Sequence, residues 1–266
     1  MKIGFIGAGN MGGAILRGYV PYAEKAGDEL SVYVPTEEKL NSICKETGAA
    51  KCSGIDDLVR SNDVIIIGVK PNMFEEVLPQ VADAYNTDKV VVSMAAGVTI
   101  EFIEGYLGKD AKIVRIMPNT PAQVRAAMIA VCRNANVDDA TFEDVKVIFD
   151  SIGKAEEVDE DLIHCVIGVS GSSPAYTFMY IDALMEAAVK NGMDRKKARV
   201  FAAQSVLGAA KMVLNTDIDP KQLCINVCSP GGTTIEAVES LKADGFEESI
   251  EKAFQAAVDK SKDMSK

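Results

Sequence analysis

Short apolar runs rich in β-branched residues alternate with helical patterns over residues 1–150. The runs predict strands at Ile3–Ile6, Ser31–Val34, Val64–Val69, Val90–Ser93, Ile113–Met117 and Met128–Cys132. Between them, apolar residues at helical spacing predict helices at Met11–Val20, Glu37–Thr47, Phe74–Tyr85, Ile100–Leu107 and Ala140–Ser151. This alternation predicts a doubly wound parallel sheet with helices on both faces.

The strand pattern ends near residue 158, and the rest of the chain is helical. Helices are predicted at Pro174–Lys190, Arg195–Asn215, Lys221–Val227, Ile235–Leu241 and Phe246–Lys262. The segment Arg195–Asn215 is apolar around most of its circumference, which is typical of a helix packed in a bundle or against a partner. We therefore predict an α/β domain over residues 1–158 and an all-α domain over residues 159–266.

Composition and charge exclude several classes of function. The 266 residues are 48% hydrophobic with a formal net charge of −11, as in an acidic globular protein. Nucleic-acid and anionic-membrane binding need a basic face, so neither partner is expected. The chain contains six cysteines without a CxxC pair and one histidine, so no metal site is expected. With no export signal or apolar run of membrane-spanning length in the sequence, we predict a cytoplasmic protein.

The segment Gly7-Ala8-Gly9-Asn10-Met11-Gly12 follows the first predicted strand and opens the first helix. In that context GxGxxG predicts a Rossmann-type dinucleotide site, with the pyrophosphate at the helix N-terminus. The second strand ends at Val34 without the acidic residue that binds the ribose of NAD. This absence favours NADP, with NADPH preferred and NADH still possible, although the nearest cation is Lys39.

Two segments rich in small polar residues precede helices. They are Ser170–Tyr176 (SGSSPAY) and Cys228–Thr234 (CSPGGTT). The second could bind a carboxylate through backbone N–H groups and hydroxyls at a helix N-terminus, although a simple helix cap is the alternative. The lone His164 has no nucleophile elbow near it, so a hydrolase triad is not expected and the residue is interpreted as structural.

Together these segments resemble pyrroline-5-carboxylate reductases nearly end to end. The resemblance is carried by FIGAGNMG at 5–12, Val69–Pro71, Ser93–Gly97, RIMPNTP at 115–121, SGSSPAY at 170–176, Leu207–Lys211 and SPGGTT at 229–234. Three positions depart from the usual family pattern. Ser173 replaces a glycine, Cys228 replaces Ser or Thr, and His164 replaces an acidic residue.

The resemblance implies reduction of 1-pyrroline-5-carboxylate to L-proline, the last step of proline biosynthesis. It implies cofactor contacts from Ile6, Gly7, Ala8, Gly9, Asn10, Met11, Val34, Gly68, Val69, Lys70, Pro71, Met94, Ala95, Ala96 and Asn226. It implies substrate contacts from Glu160, Ser229, Gly231, Gly232, Thr233 and Thr234, with Thr234 as the catalytic residue beside the ring nitrogen. It also implies a homodimer through the C-terminal helices, extended in some members to a ring such as a decamer.

Two alternatives remain at this level. A β-hydroxyacid dehydrogenase has the same order of domains, but it would need a lysine one turn before an asparagine on the first long helical-domain helix. The helix Pro174–Lys190 has no lysine before Lys190. A non-catalytic NADP-dependent sensor is the second alternative, and it would be expected to have lost hydroxyls of the SPGGTT segment.

Overall fold

The computed structural model describes residues 1–265, with eight strands in one sheet. The strands are β1 (Lys2–Ile6), β2 (Glu29–Tyr33), β3 (Ala50–Lys51), β4 (Val64–Ile67), β5 (Val90–Ser93), β6 (Lys112–Met117), β7 (Ala127–Arg133) and β8 (Gly153–Glu157). Six α-helices are interspersed among the strands: α1 (Asn10–Ala26), α2 (Glu37–Thr47), α3 (Ile55–Ser61), α4 (Phe74–Ala82), α5 (Ile100–Leu107) and α6 (Asp139–Asp150).

The sheet has the strand order β3-β2-β1-β4-β5-β6-β7-β8. Among the described residues, each neighbouring pair is parallel except β6 and β7, which pair antiparallel. The connection of residues 118–126 is too short for the crossover that a parallel pair requires, so β7 reverses direction. The chain leaves β1 on one side toward β2 and later returns on the other side at β4. Ligands of open α/β sheets bind at the carboxyl ends of strands beside such a switch point.

Helices cover both faces of the sheet, as the alternating pattern predicts. On one face, Leu16 and Tyr19 of α1 and Phe149 of α6 are buried in the same cluster as Phe5. On the other face, helices α3, α4 and α5 pack with the opposite-facing strand side chains, among them Leu58, Leu78, Ile103, Ile65 and Ile113. All four residues of β4 are buried, because this central strand is covered on both sides.

Three elements among the eight strands and the helices α1–α6 were not predicted from the sequence. The strand β3 has two residues, and β8 (GKAEE) is mostly polar with only Ala155 buried, so neither carries an apolar run. The helix α3 is seven residues long and shows its apolar face only through Ile55, Leu58 and Val59. These are short or edge elements, which tertiary packing specifies more than local pattern does.

The contacts of the chain divide into two units. The first contains residues 1–171 and 257–266, and the second contains residues 172–256. After β8 come α7 (Ile163–Val166) and a π-helical turn (Ile167–Gly171), followed by α8 (Ser173–Lys190), α9 (Arg195–Asn215), α10 (Pro220–Val227), α11 (Thr233–Ala243) and α12 (Phe246–Asp263). This division falls later than the predicted boundary after residue 158, because α7 and the π-helical turn pack with the sheet unit.

Candidate functional site

The glycine loop after β1 lets three stretches of backbone approach one another. A Cβ atom on Gly12 would lie 2.7 Å from the carbonyl oxygen of Gly7, and one on Gly68 would lie 2.8 Å from that same oxygen. Gly7 itself has φ +92°, which a residue with a side chain rarely adopts. The loop after β1, the first turn of α1 and the end of β4 are therefore packed too closely to accommodate side chains.

The second glycine of the motif has a different environment. Nothing lies within 4 Å of a Cβ built on Gly9, and this residue is the N-cap of the 17-residue helix α1 without a side-chain cap. The first N–H groups of α1 therefore remain available to an anion at the positive end of the helix. Open space beside uncapped N–H groups fits the pyrophosphate of a dinucleotide.

A cavity of about 500 Å³ lies at the carboxyl ends of β1, β2 and β4. Its lining includes seven of the predicted cofactor residues, namely Gly7, Ala8, Gly9, Val34, Gly68, Val69 and Lys70. Asn10 lines an adjoining cavity of about 630 Å³, which shares Ala8, Gly9 and Lys39 with the first. Pro71 lines a third cavity of about 290 Å³ beside Gly97 and Val98, whereas Ile6 is buried in β1 and Met11 is half-buried in α1.

The end of β2 offers a cation and no strand-end carboxylate. Val34, Pro35 and Thr36 line the 500 Å³ cavity together with Lys39, which forms no ion pair within residues 1–265. The guanidinium of Arg17 lines the neighbouring cavity but is held by Glu46 at 2.7 and 2.9 Å. Lys39 borders both cavities, whereas Lys70 lines only the first and Arg125 only the second.

The loop after β5 contains the remaining predicted cofactor residues of the first unit. Ala95 is buried, while Met94 and Ala96 are half-buried. Gly97 turns the chain with φ +82°, and its Cβ position would lie 2.7 Å from the carbonyl oxygen of Met264. The loop is therefore packed against the backbone of Met264 at Gly97.

Glu160, the predicted substrate contact of the first unit, is held by two donors on one oxygen. Its Oε1 accepts from Nη1 of Arg115 at 2.7 Å and from the backbone N–H of Ile100 at 2.9 Å. Ile100 is the first residue of α5, so the carboxylate also lies at the positive end of that helix. No hydrogen bond to Oε2 of Glu160 occurs in the described part of the chain.

The other predicted substrate residues lie together in the second unit, on the loop that enters α11. Gly231 has φ +69°, and Gly232 is the N-cap of α11 without a side-chain cap. Thr233 and Thr234 are the first two residues of that helix. Within residues 1–265, the hydroxyls of Ser229, Thr233 and Thr234 make no hydrogen bonds. The loop thus has hydroxyls and helix N–H groups free for a carboxylate.

Asn226, the predicted cofactor contact of the second unit, lies in the last turn of α10. Its Oδ1 accepts a hydrogen bond from Nε2 of Gln222 at 2.8 Å, one helical turn earlier. This contact fixes the orientation of the amide and leaves its Nδ2 group able to donate. The side chain is exposed.

His164 has a partner that suits a structural role. Its Nδ1 lies 2.8 Å from Oγ of the buried Ser261, near the end of α12. Burial, followed by the charges of Arg115 and Lys262, lowers the pKa of the imidazole below its ordinary value.

Across residues 1–265 no group of three or more His, Cys, Asp or Glu side chains could hold a metal ion. Among these residues, no helix is both long and apolar enough to span a membrane.

Two residues of the RIMPNTP segment have roles that sequence reasoning missed. Asn119 is buried, donating to the carbonyl of Ser170 at 3.0 Å and accepting from the N–H of Met128 at 3.0 Å. Arg115 is buried in β6 beneath Glu160. A charged residue in an otherwise apolar strand, Ile113–Met117, was the available signal, because buried charges are rare unless they are paired.

Comparison with known proteins gives full-length similarities. A family model described as pyrroline-5-carboxylate reductase dimerisation matches residues 160–264, and one described as NADP oxidoreductase, coenzyme F420-dependent, matches residues 2–97. The pyrroline-5-carboxylate reductase of Escherichia coli (strain K12) is 45% identical over 265 residues, covering 100% of this chain and 98% of the relative.

Solved structures agree with the sequence matches. A pyrroline-5-carboxylate reductase from Coxiella burnetii has a TM-score of 0.92 and 36% identity, covering 99% of this chain and 98% of that one. A Plasmodium falciparum pyrroline carboxylate reductase with NADP bound has a TM-score of 0.88 and 32% identity, covering 100% and 98%. The similarity therefore extends over both units of the chain.

Proposed function

The chain belongs to the pyrroline-5-carboxylate reductase family, and on that premise we propose which residues carry its reaction. The reaction is the NADP-dependent reduction of 1-pyrroline-5-carboxylate to L-proline, the last step of proline biosynthesis. The observation that carries the assignment is the full-length similarity to pyrroline-5-carboxylate reductases. The loops that enter α1 and α11 also begin their helices without a side-chain cap, so helix N–H groups are available there to a ligand. Membership in this family also excludes the β-hydroxyacid dehydrogenase alternative.

NADP fits the glycine cradle of the first unit. The residues proposed to hold it there are Ile6–Met11, Val34, Gly68–Pro71 and Met94–Ala96, with Asn226 of the second unit as a further contact. The open position at Gly9 and the uncapped N-terminus of α1 support this assignment for the pyrophosphate. When bound in its reduced form, the cofactor supplies a hydride to the imine carbon.

The substrate carries a carboxylate and a ring nitrogen that is cationic when protonated. We assign the carboxylate to Ser229, Gly231, Gly232 and Thr233. Within residues 1–265 the hydroxyls of Ser229 and Thr233 make no hydrogen bond, while the N–H of Gly232 donates to the carbonyl of Ser229 at 3.0 Å. The hydroxyl of Thr234 hydrogen-bonds the ring nitrogen, and the carboxylate of Glu160 faces the positive charge there. Reduction of an iminium needs no covalent nucleophile, so orientation and charge are what the protein provides.

An assay with three parallel reactions tests the function. Loss of NADPH absorbance is followed with 1-pyrroline-5-carboxylate and without it, and NADPH formation is followed with NADP⁺ and a β-hydroxyacid. We expect turnover only with the cyclic imine, and L-proline as the product. A chain that binds NADP but forms no proline would instead be the non-catalytic sensor.

We further propose that Lys39 favours NADPH over NADH. Its ammonium borders the cavity at the end of β2 and forms no ion pair within the described chain. Replacing it in Lys39→Met should raise the KM for NADPH by roughly threefold to tenfold and leave the KM for NADH unchanged, since only NADPH carries the added phosphate. Lys45→Met, on the exposed last turn of α2, is the matched control. Equal effects on both cofactors would contradict this assignment.

The assembly that we propose is a homodimer through the C-terminal helices, with a ring such as a decamer as a larger form. Exposed apolar side chains on α8 and α9 support the dimer, among them Phe178 at 62%, Phe201 at 64% and Leu214 at 76% exposure.

We assign dinucleotide binding to residues 1–158, and substrate binding and dimerisation to residues 159–266. Six free cysteines fit a reducing compartment, the cytoplasm.

A further inference from the structure

Arg115 is a buried cation whose donors are only partly used. Its side chain is 3% exposed, and Nη1 donates to Oε1 of Glu160. The buried Nε and Nη2 atoms have no hydrogen-bond partner among residues 1–265. On the neighbouring strands, the residues in register with Arg115 are Ser93 and Cys132, and neither supplies a carboxylate. Within the described residues, the ion pair of this guanidinium is therefore the one with Glu160.

Glu160 is bound asymmetrically. Arg115 and the N–H of Ile100 both occupy Oε1, while Oε2 accepts no hydrogen bond within the described residues. The side chain is 30% exposed and lines a cavity of about 410 Å³. Two donors anchor Oε1 and leave the other oxygen free to accept a hydrogen bond from a ligand.

Stability alone does not account for Arg115. A buried guanidinium with two unpaired nitrogen atoms is unfavourable, and apolar replacements of buried ion pairs are often neutral or stabilising. Glu160 is partly exposed, so removing Arg115 would not leave a buried carboxylate unpaired. A residue that adds little to stability but orients a site carboxylate is a candidate positioning residue.

We propose that Arg115 is a positioning residue that holds Glu160 through Oε1, so that Oε2 accepts from the cationic ring nitrogen of substrate and product. This inference rests on the proposed contact between Glu160 and the substrate. In this arrangement Arg115 on β6 and Glu160 after β8 together recognise a cyclic iminium or a secondary ammonium group. Arg115 itself makes no contact with substrate in this arrangement.

A double-mutant cycle tests the coupling. The variants are Arg115→Met, Glu160→Gln and the double variant, and the measurements are the Kd of L-proline for the enzyme–NADP complex by calorimetry, KM and kcat. We expect Arg115→Met to raise the proline Kd and the substrate KM by about tenfold, with kcat lowered less than roughly threefold. In the Glu160→Gln background, the same replacement should add no further loss, because Arg115 acts only through Glu160.

Two further variants separate positioning from folding. Arg133→Met removes an arginine that lines the same cavity but pairs with Glu157 and Asp139, and it should leave the proline Kd unchanged. Arg115→Lys keeps the charge and should restore part of the affinity. If Arg115→Met does not fold, the cycle is completed with Arg115→Lys.

Three outcomes would overturn the inference. The first is wild-type proline affinity in both Arg115 variants. The second is an Arg115 penalty that simply adds to that of Glu160→Gln. The third is wild-type affinity in Glu160→Gln, which would also remove the proposed substrate contact. Proline formation by the unmodified enzyme distinguishes each of these from failure of the proposed function.

Discussion

The hydroxyl of Thr234 lies at the second position of α11 and forms no hydrogen bond within residues 1–265. We expect Thr234→Ala to lower kcat about a hundredfold, since a positioned donor beside the reacting nitrogen is lost while the helix remains. Ser240→Ala, which removes a hydroxyl from the same helix, is the control for steady-state kinetics. Unchanged kcat in Thr234→Ala would mean that this side chain serves only the helix end.

Individual residues also show how far sequence reasoning extends. Gly7, Gly9 and Gly12 could be assigned from spacing alone, because the motif requires glycine for backbone reasons that hold in any Rossmann-type domain. The pairing of Arg115 with Glu160 could not, because the two residues are far apart in sequence and only the fold brings them together. Their hydrogen bond depends on the register of β6 and on the turn after β8.

At the level of elements, the junction of β1 and α1 allows a paired test of ligand binding against packing. Gly9→Ala places a methyl group where nothing lies within 4 Å, so thermal unfolding of the free protein should change little. The Kd for NADP should rise at least about tenfold, because that methyl group occupies the space proposed for the pyrophosphate. The thermal shift produced by NADP should shrink accordingly.

Gly12→Ala is the matched substitution in the same loop. Its methyl group would lie 2.7 Å from the carbonyl oxygen of Gly7, so backbone must move. Overpacking of this kind costs about 1–3 kcal/mol, and we expect Tm to fall by about 5 °C even without cofactor. Equal Tm values for the two variants would contradict this distinction between the glycines.

The end of α12 contacts α7 through Oγ of Ser261, which lies 2.8 Å from Nδ1 of His164, and we expect this contact to make stability depend on pH. The pKa of His164 is lowered in the folded protein, so the unfolded chain binds the proton more readily. The stability contributed by the neutral ring is therefore present above about pH 6.5 and is lost as the pH falls through that value toward the folded pKa. Between about pH 7.5 and about pH 5.5, Tm should fall roughly 2 °C further in the wild type than in His164→Gln. A smaller fall in the wild type would contradict this sign.

Elements with a strong local signal were predicted well, and those that depend on their neighbours were missed. The strands β1, β4, β5 and β6 are apolar runs buried between two helical layers, so periodicity identifies them. In contrast, β8 carries three charged residues among five and pairs only with β7 at the edge. The reversal of β7 likewise depends on the length of a connection, which no apolar pattern encodes.

For the whole molecule, the proposed dimer makes activity depend on assembly. Leu207 on α9 is 47% exposed, and Leu207→Arg would bury an unpaired charge if this face contacts a second chain. We expect sedimentation to show dissociation and specific activity to fall with it. Val124→Arg, at an apolar side chain of the first unit that is 76% exposed, should change neither. A stable Leu207→Arg monomer that still forms proline would contradict the proposal.

The exposed apolar side chains of α8 and α9 also affect the biogenesis of the protein. The two helices are joined by the short turn of residues 191–194, so they can form early from local contacts. In the proposed dimer a second chain covers Phe178, Phe201 and Leu214, and before it binds they are exposed apolar surface on a newly made polypeptide. A newly made chain can then either pair with a second copy or be bound by chaperones or aggregates, and these two outcomes compete. The yield of active enzyme would depend on how many copies are made close together.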